Sequence, residues 1–127
     1  MGTDYPTADG TAIRDYIHVA DLANAHMLAL KGLENRSLND VINLGSGRGS
    51  SVQQVVDMVA TVTGRAVRCD RSARRPGDPA ELVANPAKAE SVLAWKPKRS
   101  TLELVVGDAW AWFQSRGYAD LPTDRID

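Results

Sequence analysis

Three stretches of this chain repeat apolar residues at helical spacing, which leaves room for little but a small layered fold of helices on short strands. Val19, Leu22, Ala23, Met27, Leu30 and Leu33 fall on one stripe of a helix expected over 20–34. Val52, Val55, Val56, Val59 and Val62 make a second stripe. Ser50 or Ser51, with Gln53 or Gln54 three positions on, forms a capping box at its start, and Gly64 stops it. Valine has modest helix propensity, so burial must hold this segment. Leu102, Val105, Val106, Ala109, Trp110 and Phe113 make the third stripe, behind a capping box read over Ser100–Glu103.

Between the helices lie short β-prone runs at 15–19, 40–44, 67–70 and 81–83. Asn85 caps a further short helix, with Pro86 in its first position and Trp95 and Pro97 closing it. The stretches 3–14 and 74–79 read as loops, the second stiffened by Pro76 and Pro79, and the tail from Gly117 reads as frayed. The expected class is α/β, with short strands and four main helices in a single domain over 1–127.

With 43% hydrophobic and 24% charged residues, the chain has the composition of a folded protein and not of a disordered one. A net charge of −1 provides no general attraction to nucleic acid or to an anionic membrane. One local exception is Arg65, Arg68, Arg71, Arg74 and Arg75, whose spacing suits a small phosphate site as well as a polyanion patch or plain surface charge. The single cysteine, Cys69, excludes an intrachain disulfide and points to a reducing compartment. No apolar run approaches the roughly 20 residues of a membrane span, and the first residues lack a signal-peptide pattern, so the expected location is cytoplasmic. His18 and His26 have no partners at metal-ligand spacing and read as structural. Trp95, Trp110 and Trp112 read as core or interface aromatics.

Gly45-x-Gly47-x-Gly49 follows a β-prone run and precedes a helix, the context of a dinucleotide-binding turn. Its third glycine comes two positions after the second, where the fingerprint requires three, and no acidic residue ends a convincing second strand about 20 residues on. The expectation is a structural turn.

Two segments point elsewhere. They are Asp9-Gly10-Thr11-Ala12-Ile13-Arg14-Asp15-Tyr16-Ile17-His18-Val19-Ala20-Asp21-Leu22 and Arg74-Arg75-Pro76-Gly77-Asp78-Pro79-Ala80, with Ile42-Asn43-Leu44-Gly45-Ser46-Gly47 between them. In this order they resemble the C-terminal, substrate-binding part of the UDP-glucose 4-epimerases, members of the extended short-chain dehydrogenase/reductase superfamily. Related dehydratases tend to place a histidine between the glycine and the aspartate of the second motif. Here Asp78 follows Gly77 directly, which favours the epimerase.

The resemblance implies a UDP-sugar site at Arg14, Arg75, Asp78 and Leu82. Arg14 and Arg75 would contact the diphosphate, as a planar guanidinium does well. Asp78 would accept from the ribose hydroxyls, and Leu82 would line the sugar pocket. Arg14 and Asp78 also have plainer explanations: an ion pair of Arg14 with Asp15 or Asp21, and Asp78 capping the turn after it.

The family's reaction is a transient oxidation at C4 of the sugar by bound NAD, with a tyrosine as base four residues before a lysine. Tyr5, Tyr16 and Tyr118 are followed at that distance by Asp9, Ala20 and Pro122, so the pair is absent here. The resemblance therefore implies that the NAD-binding (Rossmann) core lies outside these residues, in a further domain of about 200 residues. It also implies that the boundary crosses the uracil end of the site, where Met1 stands in place of a phenylalanine. The chain alone is expected to be inactive, to bind no NAD, and, with its apolar faces uncovered, to self-associate, to take an NAD-binding partner domain or to be marginally stable. The alternatives are a stand-alone UDP-sugar or protein-binding module, and part of another nucleotide-sugar enzyme such as a dehydratase or decarboxylase.

Overall fold

A computed structural model describes residues 1–35 and 38–116. The elements run β1 (Ile13–Asp15), α1 (Val19–Glu34), β2 (Gly49–Ser51), α2 (Val52–Thr63), β3 (Glu81–Leu82), α3 (Ala87–Leu93) and α4 (Leu102–Ser115). This is the expected α/β class with four helices. Ser37 and the tail from Gly117 lie outside the described residues.

The short strands form one sheet in the order β2-β1-β3. β1 is central, antiparallel to β2 with Arg14 opposite Ser50, and parallel to β3 with Arg14 opposite Leu82. The strand begins two residues earlier than the β-prone run suggested, because His18 is needed at the start of α1. Its Nδ1 accepts the Ala20 amide at 2.9 Å and caps the helix. Ser51 caps α2 reciprocally with Gln54, and Gly64 ends it in the left-handed conformation, both as read from the sequence. Thr101, not Ser100, caps α4, since the Ser100 hydroxyl is engaged by Asp21 at 2.7 Å. Asn85 accepts the Ala87 amide at 3.0 Å and so opens α3, one residue later than expected.

Two expected strands are not strands. Residues 40–44 and 67–70 join no ladder. The first instead lays Ile42 and Leu44 on the core, and the second leads to a single bridge between Gly2 and Ser72. β-propensity reports fit to a pleated surface, and neither run has a neighbouring strand to supply one.

The core centres on Ala25, Ala89 and Trp95, with Ile17, Leu28, Ile42, Leu44 and Leu93 packed around them. α1 turns toward it a face different from the expected stripe. Val19, Met27, Leu30 and Leu33 are exposed, while Asp21 and Ala25 are buried. A small residue at 25 lets the Trp95 indole lie against the helix, where its Nε1 donates to the Asp21 carbonyl at 3.0 Å. The Asp21 carboxylate takes the amides of Lys98 and Arg99 at 3.0 and 2.8 Å, tying the approach to α4 onto α1. α2 and α4 pack together through their apolar stripes, with Trp110 stacked on Phe113 at 5.5 Å.

Candidate functional site

β1 carries Arg14 in the middle of the sheet, and the loop before β3 carries Arg75 and Asp78. A tight turn, with Gly77 at φ 79° and the Asp78 amide donating to the Arg75 carbonyl at 3.2 Å, folds that loop back toward β1. The result is a cavity of about 290 Å³ whose walls include Met1, Gly2, Tyr5, Arg14, Arg75 and Asp78. Arg14, Arg75 and Asp78 thus meet in one place. Leu82 does not line the cavity. It pairs with Arg14 across the β1–β3 ladder and is 62% exposed.

Within the cavity, one Arg14 nitrogen donates to Asp78 Oδ1 at 2.6 Å and another to the Ile13 carbonyl at 2.7 Å. A guanidinium has five N–H donors, so most of its capacity stays available. The ion pair with Asp15 or Asp21 considered from the sequence is not formed. Arg14 pairs instead with another member of the site. Nor does the Asp78 side chain cap the turn that follows it. Its second oxygen accepts the Tyr5 hydroxyl at 2.6 Å. That hydrogen bond, together with the Arg14 and Arg75 charges, outweighs partial burial and holds the Asp78 carboxyl below the ordinary carboxylate range. The same hydrogen bond is the main reason the Tyr5 phenol is raised, so Tyr5 remains a donor.

Tyr5 is the site member the sequence did not reveal. It was weighed only as a catalytic base, and the residue it touches lies 73 positions away. Its one local signal is a loop tyrosine next to Asp4 and Pro6, which predicts no partner.

The glycine-rich turn has a different occupant from a dinucleotide. Asp15 Oδ1 accepts the Ser46 amide at 2.8 Å and its hydroxyl at 2.5 Å, while Oδ2 accepts the Gly47 amide at 3.0 Å. Gly47 reaches this arrangement with φ 70°, and a Cβ on Gly45 would stand 2.5 Å from the Asp15 carboxylate. The amides that would have to cradle a pyrophosphate point at an internal carboxylate, so these residues do not fit NAD. They form the structural turn expected from their spacing.

His18 is buried and bridges to Asp108 through Nε2 at 2.9 Å, while His26 bonds the Leu22 carbonyl one helical turn back at 2.8 Å. Both serve the fold. Among the described residues no group of three or more histidine, cysteine or carboxylate side chains is placed to hold a metal, and no helix is long and apolar enough to cross a membrane.

Comparison with known proteins gives a consistent picture. The family described as GDP-mannose 4,6 dehydratase matches residues 2–106. A UDP-glucose 4-epimerase of Halalkalibacterium halodurans is 44% identical over 98% of this chain, which spans 38% of that protein. One of Corynebacterium glutamicum is 49% identical over 92% of the chain, which spans 35% of it. Among solved structures, the Bifidobacterium longum UDP-glucose 4-epimerase, in complex with NAD+ and UDP, superposes with a TM-score of 0.79 at 35% identity. That match covers 91% of this chain and 34% of the other. The chain therefore spans little more than a third of the relatives it matches.

Proposed function

The chain belongs to the GDP-mannose 4,6 dehydratase family of extended short-chain dehydrogenases/reductases, and from that membership we propose that it forms the UDP-sugar-recognising part of a UDP-glucose 4-epimerase. One observation carries the reading. Arg14, Arg75 and Asp78, drawn from segments more than sixty positions apart in sequence, converge on one cavity. Two guanidinium groups beside an ionised carboxylate match a nucleoside diphosphate, whose phosphates need donors and whose ribose needs an acceptor. Arg14 and Arg75 take the diphosphate, Asp78 takes the ribose hydroxyls, and the sugar extends toward Leu82 at the sheet edge. Similarity to epimerases at 44% and 49% identity, and the direct Gly77–Asp78 step, favour epimerase over dehydratase.

The redox chemistry at C4 belongs to an NAD-binding domain. Its docking surface on this chain is the exposed face of α1, where Val19, Met27, Leu30 and Leu33 form an apolar stripe that a soluble protein ordinarily covers. The recognition chemistry is the same whether that domain is covalently joined or a separate chain. A cytoplasmic location belongs to the same reading.

The 127 residues alone, supplied with NAD, are therefore expected not to interconvert UDP-glucose and UDP-galactose. Addition of a separately expressed NAD-binding part of an epimerase is expected to restore turnover. A coupled assay that detected conversion of UDP-galactose to UDP-glucose by the purified chain would defeat the assignment of the redox chemistry to another domain.

A further inference from the structure

We infer that Tyr5 is a positioning residue for nucleotide recognition: its hydroxyl fixes the Asp78 carboxylate so that the remaining acceptor positions present themselves to the vicinal diol of a ribonucleotide. The inference rests on the reading of the cavity as a UDP-sugar site and assigns a role within it that no motif carries.

Asp78 needs such a partner. It sits on a loop directly after Gly77, and its side chain is 35% exposed, so water competes for its oxygens. Tyr5, by contrast, is buried to 7% exposure. Its amide donates to the Gly10 carbonyl at 2.9 Å, and its own carbonyl accepts the Thr7 amide at 2.8 Å. Its ring lies so close to Gly2 that a Cβ there would come within 2.8 Å of it. A buried donor therefore holds a more exposed acceptor through a charge-assisted bond of 2.6 Å.

An ionised carboxylate has about four acceptor positions, of which Tyr5 and Arg14 use one each. Two remain, which is what two neighbouring hydroxyls require. Once a ligand arrives, the position of Arg14 answers to the diphosphate as well as to Asp78, whereas the Tyr5 hydroxyl answers to Asp78 alone. Tyr5 is neutral and has no part in binding phosphate, so its hold on Asp78 does not depend on the diphosphate. The lowered carboxyl of Asp78 and the raised phenol of Tyr5 agree with this geometry, since both keep the donor and acceptor in the required states.

The test is calorimetric titration of the wild-type chain and Tyr5→Phe with UDP and with 2′,3′-dideoxy-UDP, with a thermal melt of each variant. Wild type should prefer UDP; Tyr5→Phe should bind UDP about tenfold more weakly, the worth of one good hydrogen bond, and dideoxy-UDP unchanged. In an Asp78→Ala background, which leaves no side-chain acceptor, the same change should have little further effect. Equal weakening of both ligands, or a full further loss in the Asp78→Ala background, overturns the role given to Tyr5. A wild type that does not distinguish the two ligands overturns the ribose assignment itself, a separate failure. If Tyr5→Phe melts early, the titrations are run at a temperature where it is fully folded, and an unchanged preference for UDP there contradicts the inference.

Discussion

Trp95→Ala is expected to cost about 3–5 kcal/mol, a large part of the roughly 5–15 kcal/mol that holds a domain together. The indole is 1% exposed and sits where α1, α3 and the 40–44 segment meet, so its removal opens a cavity no single neighbour can fill. Its Nε1 also donates to the Asp21 carbonyl at 3.0 Å, and that acceptor would lose its partner. Trp95→Phe separates the two contributions. It keeps most of the apolar volume and loses the N–H, and should fall well short of the alanine variant in a urea melt. Comparable losses for the two would show that the hydrogen bond, and not packing, dominates.

The second large effect is at Asp21, buried at 5% exposure. Its carboxylate accepts the Lys98 and Arg99 amides and the Ser100 hydroxyl, at 3.0, 2.8 and 2.7 Å. Burial alone would raise this carboxyl; the amide and hydroxyl donors and the nearby His18 outweigh it and lower it. A carboxyl with a depressed folded pKa stabilises fully above the unfolded value near 3.9, and the contribution disappears as pH falls through the folded value. Asp21→Ala leaves three donors facing a void and should cost about 3 kcal/mol at neutral pH. The gap between wild type and variant should persist down to about pH 4 and close in stronger acid. A gap that stayed constant to pH 2 would mean that the ionised form of Asp21 is not what holds α4 to α1.

The same residue shows where reading the sequence reached its limit. The stripes of α2 and α4, the Ser51–Gln54 capping box and the Gly64 stop are local features, and they were legible. On α1 the apolar pattern pointed to the wrong face. Val19, Met27, Leu30 and Leu33 look like core residues, but Trp95 packs where Ala25 leaves room and Asp21 reaches the loop amides. That choice depends on a tryptophan about seventy residues further along the chain. The apolar stripe then faces outward.

The site divides along the same line. Arg14, Arg75 and Asp78 were visible because they sit in motifs, and the β1 pairing and the Gly77 turn bring them together. Leu82 was named with them, yet it stands outside the cavity on the far strand of the ladder. Tyr5 was invisible as a site residue because its role is set by a single hydrogen bond across the fold. The glycine-rich turn was correctly read as structural from its spacing, but the Asp15 carboxylate that fills it could not be read from sequence order.

The central claim is that this cavity recognises the nucleoside diphosphate of UDP-glucose. It is tested most directly by following the amide resonances of the chain during titration with UDP. The account predicts saturable shifts concentrated at Gly2, Tyr5, Arg14, Arg75 and Asp78, with the α2–α4 face left unperturbed. Shifts centred on the apolar groove between Val59 and Phe113, or no saturable shift at millimolar UDP, would contradict it.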